Sequence, residues 1–164
     1  MLTNSIKFKN FKIVKLNQHI NKKLNLILND RSEIINSLSK NYKDNYKINK
    51  IKRIVKNKDI KLIGMGGSIL GSKAIFNFFK DKIKKNFIFI DNLSNQKKNL
   101  LKNKTANIII SKSGNTLETI VNLNSKIKKN KNIFITENTN NYLRKLANKL
   151  KSDVIDHKNF IGGR

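Results

Sequence analysis

Residues 60–71 read IKLIGMGGSILG, an apolar run followed by a segment that holds four of the chain's seven glycines. The apolar run ends at Ile63, and apolar residues at helical spacing begin at Ile69. A strand, a glycine-rich loop and a helix in this order form the first half of a β–α–β unit. Glycine is needed where a chain turns sharply or where its backbone approaches a ligand closely. The stretch therefore predicts a parallel sheet with a binding loop at the end of its first strand.

The same alternation of short apolar runs and helical stripes continues along the chain. Runs rich in Ile and Phe without polar alternation are typical of strands buried on both faces. Right-handed crossovers between such strands predict an α/β fold, a doubly wound, five-stranded parallel sheet flanked by helices. Its ligand site is expected at the carboxyl ends of the strands, near a topological switch point. The predicted strands are 60–63, 87–90, 107–110, 133–135 and, more weakly, 154–155, and the helical stripes between them are 69–79, 117–127 and 143–150, with a less regular segment at 94–104.

The first 58 residues show a different pattern. Apolar residues recur at helical spacing over 20–28, 34–42 and 48–55, and Lys- and Asn-rich pieces separate these stripes. We therefore expect a helical N-terminal segment over 1–58 and a single α/β domain over 59–164. A chain of 164 residues is long enough for such a domain to bury a core.

The chain is strongly basic, with 36 Lys and Arg residues against 10 Asp and Glu residues and a net charge of +26. Such a charge suggests a nucleic-acid-binding protein. However, the lysines are spread along the chain among asparagines, as codon bias in an A/T-rich genome produces, and most phenylalanines fall in the predicted core. We interpret the charge as a solvated background that attracts anionic substrates, and we expect no specific nucleic-acid partner.

The composition also bears on the compartment and on metals. The chain has no cysteine, which excludes a disulfide framework and thiolate metal sites. Its two histidines, His19 and His157, lack the spacing of metal ligands. No apolar stretch approaches the ~20 residues of a membrane span. We therefore expect a soluble cytoplasmic protein without a membrane partner or a bound metal.

The loop after the first predicted strand has the features of an anion site. Its glycines, Gly67 among them, leave backbone N–H groups unobstructed, and Ser68 lies at the start of a helix, where the helix dipole favours an anion. A plain tight turn with Ser68 as the helix cap is the structural alternative. A dinucleotide loop is less favoured, because Ile69 stands where that fingerprint needs glycine. Asp91, after the second strand, fits either a ribose contact or a turn cap.

The loop after the third predicted strand, SKSGNT at 111–116, concentrates three hydroxyls, one lysine and one glycine in six residues. This composition suits a phosphate monoester, since hydrogen bonds to a charged group are worth about 1.5–3 kcal/mol each. Ser111, Ser113 and Thr116 supply the hydroxyls. Lys112 either contacts the phosphate or is solvated like the many other lysines of the chain.

Two further polar features follow. Asn115 and Glu118 have the spacing of a capping pair for the next helix, so we assign Glu118 to a cap rather than to a catalytic base. Arg164 comes directly after a double glycine at the tip of the fifth strand region. A guanidinium in that place can stabilise a developing oxyanion, which makes Arg164 a candidate catalytic residue.

Four segments carry a resemblance to a known family. GMGGSILG at 64–71 and ISKSGNTLET at 110–119 resemble the phosphosugar-binding loops of sugar isomerase (SIS) domains. Together with ITEN at 135–138 and DHKNFIGGR at 156–164, they follow the order of segments in the glucose-6-phosphate isomerase family. The resemblance covers about residues 59–164 and implies the flavodoxin-like SIS fold.

That family interconverts glucose 6-phosphate and fructose 6-phosphate in glycolysis and gluconeogenesis, as a homodimer and without a cofactor. By this resemblance, Arg164 matches the arginine that steadies the enediol intermediate during proton transfer between C2 and C1. The residues that match the family's substrate-binding loops are Gly67, Ser68, Ser111, Lys112, Ser113 and Thr116.

The chain also departs from the family pattern. The family's general-base glutamate, ring-opening histidine and late lysine follow the GGR motif, at which this sequence ends. Because general acid–base catalysis needs such groups within hydrogen-bond reach of the sugar, we expect an N-terminal portion that lacks the second SIS domain and is inactive alone. Ser113 and Gly114 match the general SIS loop rather than the family's threonine-rich one. Other aldose–ketose isomerases, including those that also act on mannose 6-phosphate, and a non-catalytic phosphosugar-binding module therefore stay open as alternatives.

Overall fold

The computed structural model describes residues 18–43, 46–57, 59–93, 105–124, 127 and 131–162. In these ranges the helices are α1 Gln18–Leu28, α2 Glu33–Asn36, α3 Ile48–Val55, α4 Gly67–Phe78, α5 Leu117–Asn124 and α6 Tyr142–Lys149, with one 3-10 turn at Lys80–Lys82. The strands are β1 Asp59–Ile63, β2 Asn86–Ile90, β3 Thr105–Ile110, β4 Asn132–Glu137 and β5 Asp153–His157.

The five strands form one sheet in the order β2-β1-β3-β4-β5, and every neighbouring pair is parallel. This confirms the predicted doubly wound α/β fold, and each predicted apolar run lies within one of the strands. From β1 the chain crosses to β2 on one side, whereas β3 lies on the other side of β1. The switch point of the sheet is therefore between the carboxyl ends of β1 and β3, where an open α/β sheet binds its ligand.

Both faces of the sheet are apolar, which explains why the strands lack polar alternation. One face packs against α5 and α6, and the other packs against α3 and α4. Burying an Ile or Leu side chain stabilises the fold by about 1.5–3 kcal/mol. The buried residues of the first face are Ile63, Ile90, Ile109, Leu123, Phe134, Leu143 and Ala147. Those of the second face are Ile54, Ile60, Leu62, Ile69, Ala106 and Ile133.

The chain divides into two compact units, residues 1–42 and residues 43–164. Helix α3 belongs to the second unit, since Ile54 packs in the sheet core and Lys50 Nζ donates a hydrogen bond of 2.8 Å to the backbone oxygen of Val154. The sequence pattern assigns the residues of α3 to the N-terminal segment, because their helical stripe comes directly after the two helical stripes over 20–28 and 34–42. In the first unit, α1 buries none of its eleven residues.

The helices agree with the predicted stripes in most places. The stripe over 34–42 forms a helix only over Glu33–Asn36, and the less regular segment at 94–104 lies outside the described residues. Among the helices of the described ranges, α4 is the longest, with 12 residues. Within the described ranges, no helix combines the length and the apolar character needed to cross a bilayer.

Candidate functional site

The loop after β1 brings the start of α4 to the switch point. Gly66 has φ +55° and ψ −128°, a backbone conformation that residues with a Cβ rarely adopt. Gly64 lies so close to β3 that an added Cβ would come within 3.0 Å of the backbone oxygen of Ile110. The glycines are thus required by the turn and by the close approach of the two strand ends. Gly66, and not Ser68, is the N-cap of α4, and no side chain caps this helix.

The loop after β3 is held together by its own hydroxyls. The Ser111 and Thr116 hydroxyls share a hydrogen bond of 2.9 Å, and the backbone N–H of Gly114 donates to Ser111 Oγ at 3.2 Å. Ser111 is 2% exposed. Ser113, in contrast, is exposed, and its Oγ accepts a hydrogen bond of 3.3 Å from the backbone N–H of Asn115. Ser111 therefore shapes the loop from inside, while Ser113 lies on its surface.

The β3 loop also packs against the start of α6. The Leu143 backbone N–H donates to the oxygen of Gly114 at 3.1 Å, and that of Tyr142 donates to Asn115 Oδ1 at 2.9 Å. Asn115 was expected to cap α5 together with Glu118, but its side-chain oxygen instead satisfies an N–H group at the start of α6. Directly before Asn115, the backbone of Gly114 is in the left-handed region, with φ +68°.

A cavity of about 500 Å³ opens at the carboxyl edge of β1, β3 and β4. It contains residues of both glycine loops and the last residue of β4. Its lining residues are Met65, Gly66, Gly67, Ser68, Lys112, Ser113, Thr116 and Glu137. Five of the predicted site residues therefore come together around one space. Ser111 lies beneath the β3 loop, and Arg164 is outside the described residues.

Lys112 and Glu137 form the charged side of the cavity. Lys112 Nζ lies 3.6 Å from Glu137 Oε1 and donates a hydrogen bond of 2.7 Å to the backbone oxygen of Asn159. The Glu137 backbone N–H in turn donates to the Lys112 oxygen at 3.0 Å. Sequence reasoning gave Glu137 no role. The available signal was its position at the carboxyl end of a predicted strand, where ligand-facing residues concentrate.

Sequence comparison supplies the family of this chain. It is 36% identical over 130 residues to the glucose-6-phosphate isomerase of Methanocaldococcus jannaschii, an alignment that covers 71% of this chain and 32% of that protein. It is 40% identical over 91 residues to the glucose-6-phosphate isomerase of Borrelia garinii subsp. bavariensis, which covers 49% of this chain and 17% of that protein. This chain belongs to the glucose-6-phosphate isomerase family. It spans about a third or less of these two relatives, and no protein-family model matches it.

Solved structures support the fold expected of the glucose-6-phosphate isomerase family. A hypothetical protein of Thermus thermophilus superposes with a TM-score of 0.66 at 20% identity, covering 89% of this chain and 42% of that chain. The tagatose-6-phosphate ketose/aldose isomerase of Escherichia coli superposes with a TM-score of 0.53 at 17% identity, covering 86% of this chain and 35% of that chain. At these identities the likeness concerns the arrangement of strands and helices.

The remaining candidates of the sequence lie apart from the cavity of this glucose-6-phosphate isomerase relative. The carboxylate of Asp91 pairs with Lys73 of α4. His157 Nδ1 is 2.8 Å from the backbone oxygen of Lys158. In the described ranges, no three His, Cys, Asp or Glu residues come together as metal ligands.

Proposed function

We propose that residues 59–164 bind a hexose 6-phosphate and form the sugar-phosphate-binding part of a glucose-6-phosphate isomerase. The observation that carries this proposal is the convergence of the β1 and β3 loops around one cavity at the switch point of the sheet. The family relationship supports a sugar phosphate as the bound molecule, and the loop chemistry supports its phosphate as the group that the two loops recognise.

The phosphate is held between the two loops. Helix α4 begins at Gly67, and its N-terminus favours a negative charge. On the opposite side, Ser113 and Thr116 offer hydroxyls and Lys112 offers an ammonium group at the cavity wall. A phosphate monoester accepts hydrogen bonds from all three kinds of group, and those to charged partners are the strong ones. Ser111 contributes by fixing Thr116 and Gly114.

Isomerisation further requires a base that moves a proton between C2 and C1 of the opened sugar. Among the described residues that line the cavity, Glu137 is the only carboxylate, and it is paired with Lys112. No histidine is among these lining residues. By its resemblance, Arg164 steadies the enediol intermediate electrostatically. We propose that this chain binds the substrate but does not turn it over on its own.

The wider role follows from the family. The proposed reaction is the interconversion of glucose 6-phosphate and fructose 6-phosphate in the cytoplasm, in glycolysis and gluconeogenesis, by a homodimeric enzyme. Binding of the phosphate needs no cofactor in this scheme. The other SIS aldose–ketose isomerases share the same loop chemistry, so the loop does not distinguish one hexose 6-phosphate epimer from another. Ligand titration identifies which epimer the chain prefers.

The test is calorimetric titration of the 164-residue chain with fructose 6-phosphate, glucose 6-phosphate, mannose 6-phosphate and unphosphorylated fructose. We expect the phosphorylated sugars to bind and fructose not to bind, because the two loops recognise the phosphate. Equal affinity for fructose and fructose 6-phosphate would refute the phosphate site. Measurable isomerisation of glucose 6-phosphate by the purified chain would refute its proposed inactivity.

Single substitutions locate the site. Ser113→Ala removes a hydroxyl at the cavity wall, and we expect about a tenfold loss of affinity for fructose 6-phosphate with little change in stability, since a hydrogen bond to a charged group is lost. Ser111→Ala removes an internal bond of the loop, and a double change of Ser111 and Ser113 is expected to weaken binding at least tenfold. Ser72→Ala, in α4 but on a separate apolar cavity, is the control that leaves affinity unchanged. Unaltered binding by the double variant would count against the loop.

A further inference from the structure

The groups that line the cavity change in charge from the end of β1 to the end of β4. At the end of β1 it presents the N-terminus of α4, which is electropositive. At the end of β3 it presents hydroxyls and the Lys112 ammonium, and at the end of β4 it presents the Glu137 carboxylate. Since β1, β3 and β4 are consecutive neighbours in the sheet, the groups that attract an anion are concentrated at the ends of β1 and β3. The carboxylate lies at the end of β4, 3.6 Å from the Lys112 ammonium.

The position of Glu137 is fixed by its backbone. Its N–H donates to the Lys112 oxygen at 3.0 Å. Its own oxygen accepts from Asn141 Nδ2 at 3.2 Å and from the Arg144 guanidinium at 3.3 Å. The residue is thus anchored on both sides, and its side chain retains 20% exposure towards the cavity. The backbone that carries the carboxylate is therefore held at the cavity wall through both of its polar groups.

The ion pair with Lys112 leaves the Glu137 carboxylate able to accept hydrogen bonds from a ligand. The N–O separation is 3.6 Å, longer than the about 2.7–2.9 Å of a direct charge-assisted hydrogen bond. The short contact of Lys112 is with the Asn159 oxygen, at 2.7 Å. Carboxylate oxygens are acceptors only, so Glu137 accepts hydrogen bonds from sugar hydroxyls and repels a second negative group.

We propose that Glu137 is a specificity-determining residue that restricts the cavity to sugars with a single phosphate. The phosphate lies between the β1 and β3 loops, the sugar hydroxyls face β4, and a second phosphate at that end meets the carboxylate. This inference rests on the proposed function, because it assumes that the two loops hold the first phosphate.

The net charge of the chain makes the consequence testable. At +26, the overall field attracts the more highly charged of two ligands more strongly. A preference for the singly phosphorylated sugar therefore has to arise inside the cavity, and charge repulsion there is its proposed source. Glu137 is the described lining residue that can supply it.

The experiment compares fructose 6-phosphate with fructose 1,6-bisphosphate by calorimetry on the 164-residue chain. We expect the wild-type protein to prefer fructose 6-phosphate by at least tenfold. In Glu137→Gln, which keeps the shape and removes the charge, we expect this preference to fall about tenfold, the factor that ~1.4 kcal/mol of charge repulsion produces. Asp81→Asn is the matched control, because it removes the same charge from an exposed turn. This turn precedes the edge strand β2, away from the carboxyl ends of the strands that hold the cavity, so the preference should stay unchanged.

The outcomes separate the two proposals. If fructose 6-phosphate binds but Glu137→Gln leaves the preference unchanged, the role of Glu137 is refuted and the proposed function stands. If neither ligand binds, the proposed function is refuted and the inference falls with it. If the wild-type protein itself prefers the bisphosphate, the inference is refuted by that measurement alone. This outcome does not depend on whether the Glu137→Gln protein folds.

Discussion

At the scale of single residues, Gly114 carries the tightest constraint in the site. Its φ of +68° is in the left-handed region, and an added Cβ would overlap the side-chain amide of Asn141. Asn141 is buried and already bonded, so it has little room to withdraw. The glycine is required for two independent reasons, the backbone conformation and the space taken by Asn141.

We therefore expect Gly114→Ala to lower the free energy of unfolding by about 2–4 kcal/mol, since strained backbone and steric overlap add. Gly71→Ala is the matched control. Gly71 lies inside α4, and nothing is within 4 Å of an added Cβ. It should raise stability by about 0.5–1 kcal/mol, as expected for alanine in a helix interior. Urea denaturation measures both, and a Gly114→Ala protein as stable as wild type would contradict the described loop geometry.

At the scale of elements, Asn141 joins the end of β4 to the start of α6. As N-cap, its Oδ1 accepts a hydrogen bond of 2.9 Å from the Arg144 backbone N–H. Its Nδ2 lies 3.0 Å from Thr136 Oγ1 and 3.2 Å from the Glu137 oxygen. One side chain thus caps a helix and fixes the strand end that positions Glu137 in the cavity.

Asn141→Ala is expected to lower the free energy of unfolding by about 2–3 kcal/mol, because a cap is lost and buried partners are left unsatisfied. The preceding Asn140 is exposed, and Asn140→Ala should change stability by no more than about 0.5 kcal/mol. Thermal unfolding followed by circular dichroism distinguishes the two. Equal melting temperatures for both variants would show that Asn141 does not act as the cap.

At the scale of the whole molecule, α4 presents apolar side chains outwards. Leu70, Ile75 and Phe78 are exposed, and Phe78 reaches 82%. A helix that is apolar on several sides is usually covered, and clustered exposed apolar groups favour association. The described fold thus carries an apolar surface on α4 next to its binding loop.

We expect the 164-residue chain to self-associate with rising concentration, and Phe78→Ser to reduce this association. The reason is the loss of the largest exposed apolar side chain of α4. The stability change is expected to be about 1 kcal/mol, because Phe78 makes an edge-to-face contact with Phe79. Asn77→Ser, a polar exchange at the neighbouring exposed position, is the control. Sedimentation velocity measures the effect, and identical association of wild type and Phe78→Ser would exclude this surface as its cause.

The sequence by itself determined the fold class. Strand and helix periods are local properties, and each run such as 60–63 or 107–110 supplies its own evidence for a buried strand. Glycines that follow these runs mark the loops, and parallel strands bring such loops to one edge. That is why the sequence predicts that the loops of Gly67–Ser68 and of residues 111–116 lie at the same edge of the sheet. The resemblance then assigns Gly67, Ser68, Lys112, Ser113 and Thr116 to a phosphosugar site.

Only the tertiary structure decided which contacts each of these residues makes. Glu137 lies beside Lys112 because β4 is the neighbour of β3 in the sheet. The side chain of Asn115 accepts a hydrogen bond at the start of α6 rather than at the start of α5. It also placed the hydroxyl of Ser111 inside the loop and that of Ser113 at the cavity. These relations join residues up to some 27 positions apart in the chain. They depend on strand order and on packing across loops, which local patterns of hydrophobicity do not encode.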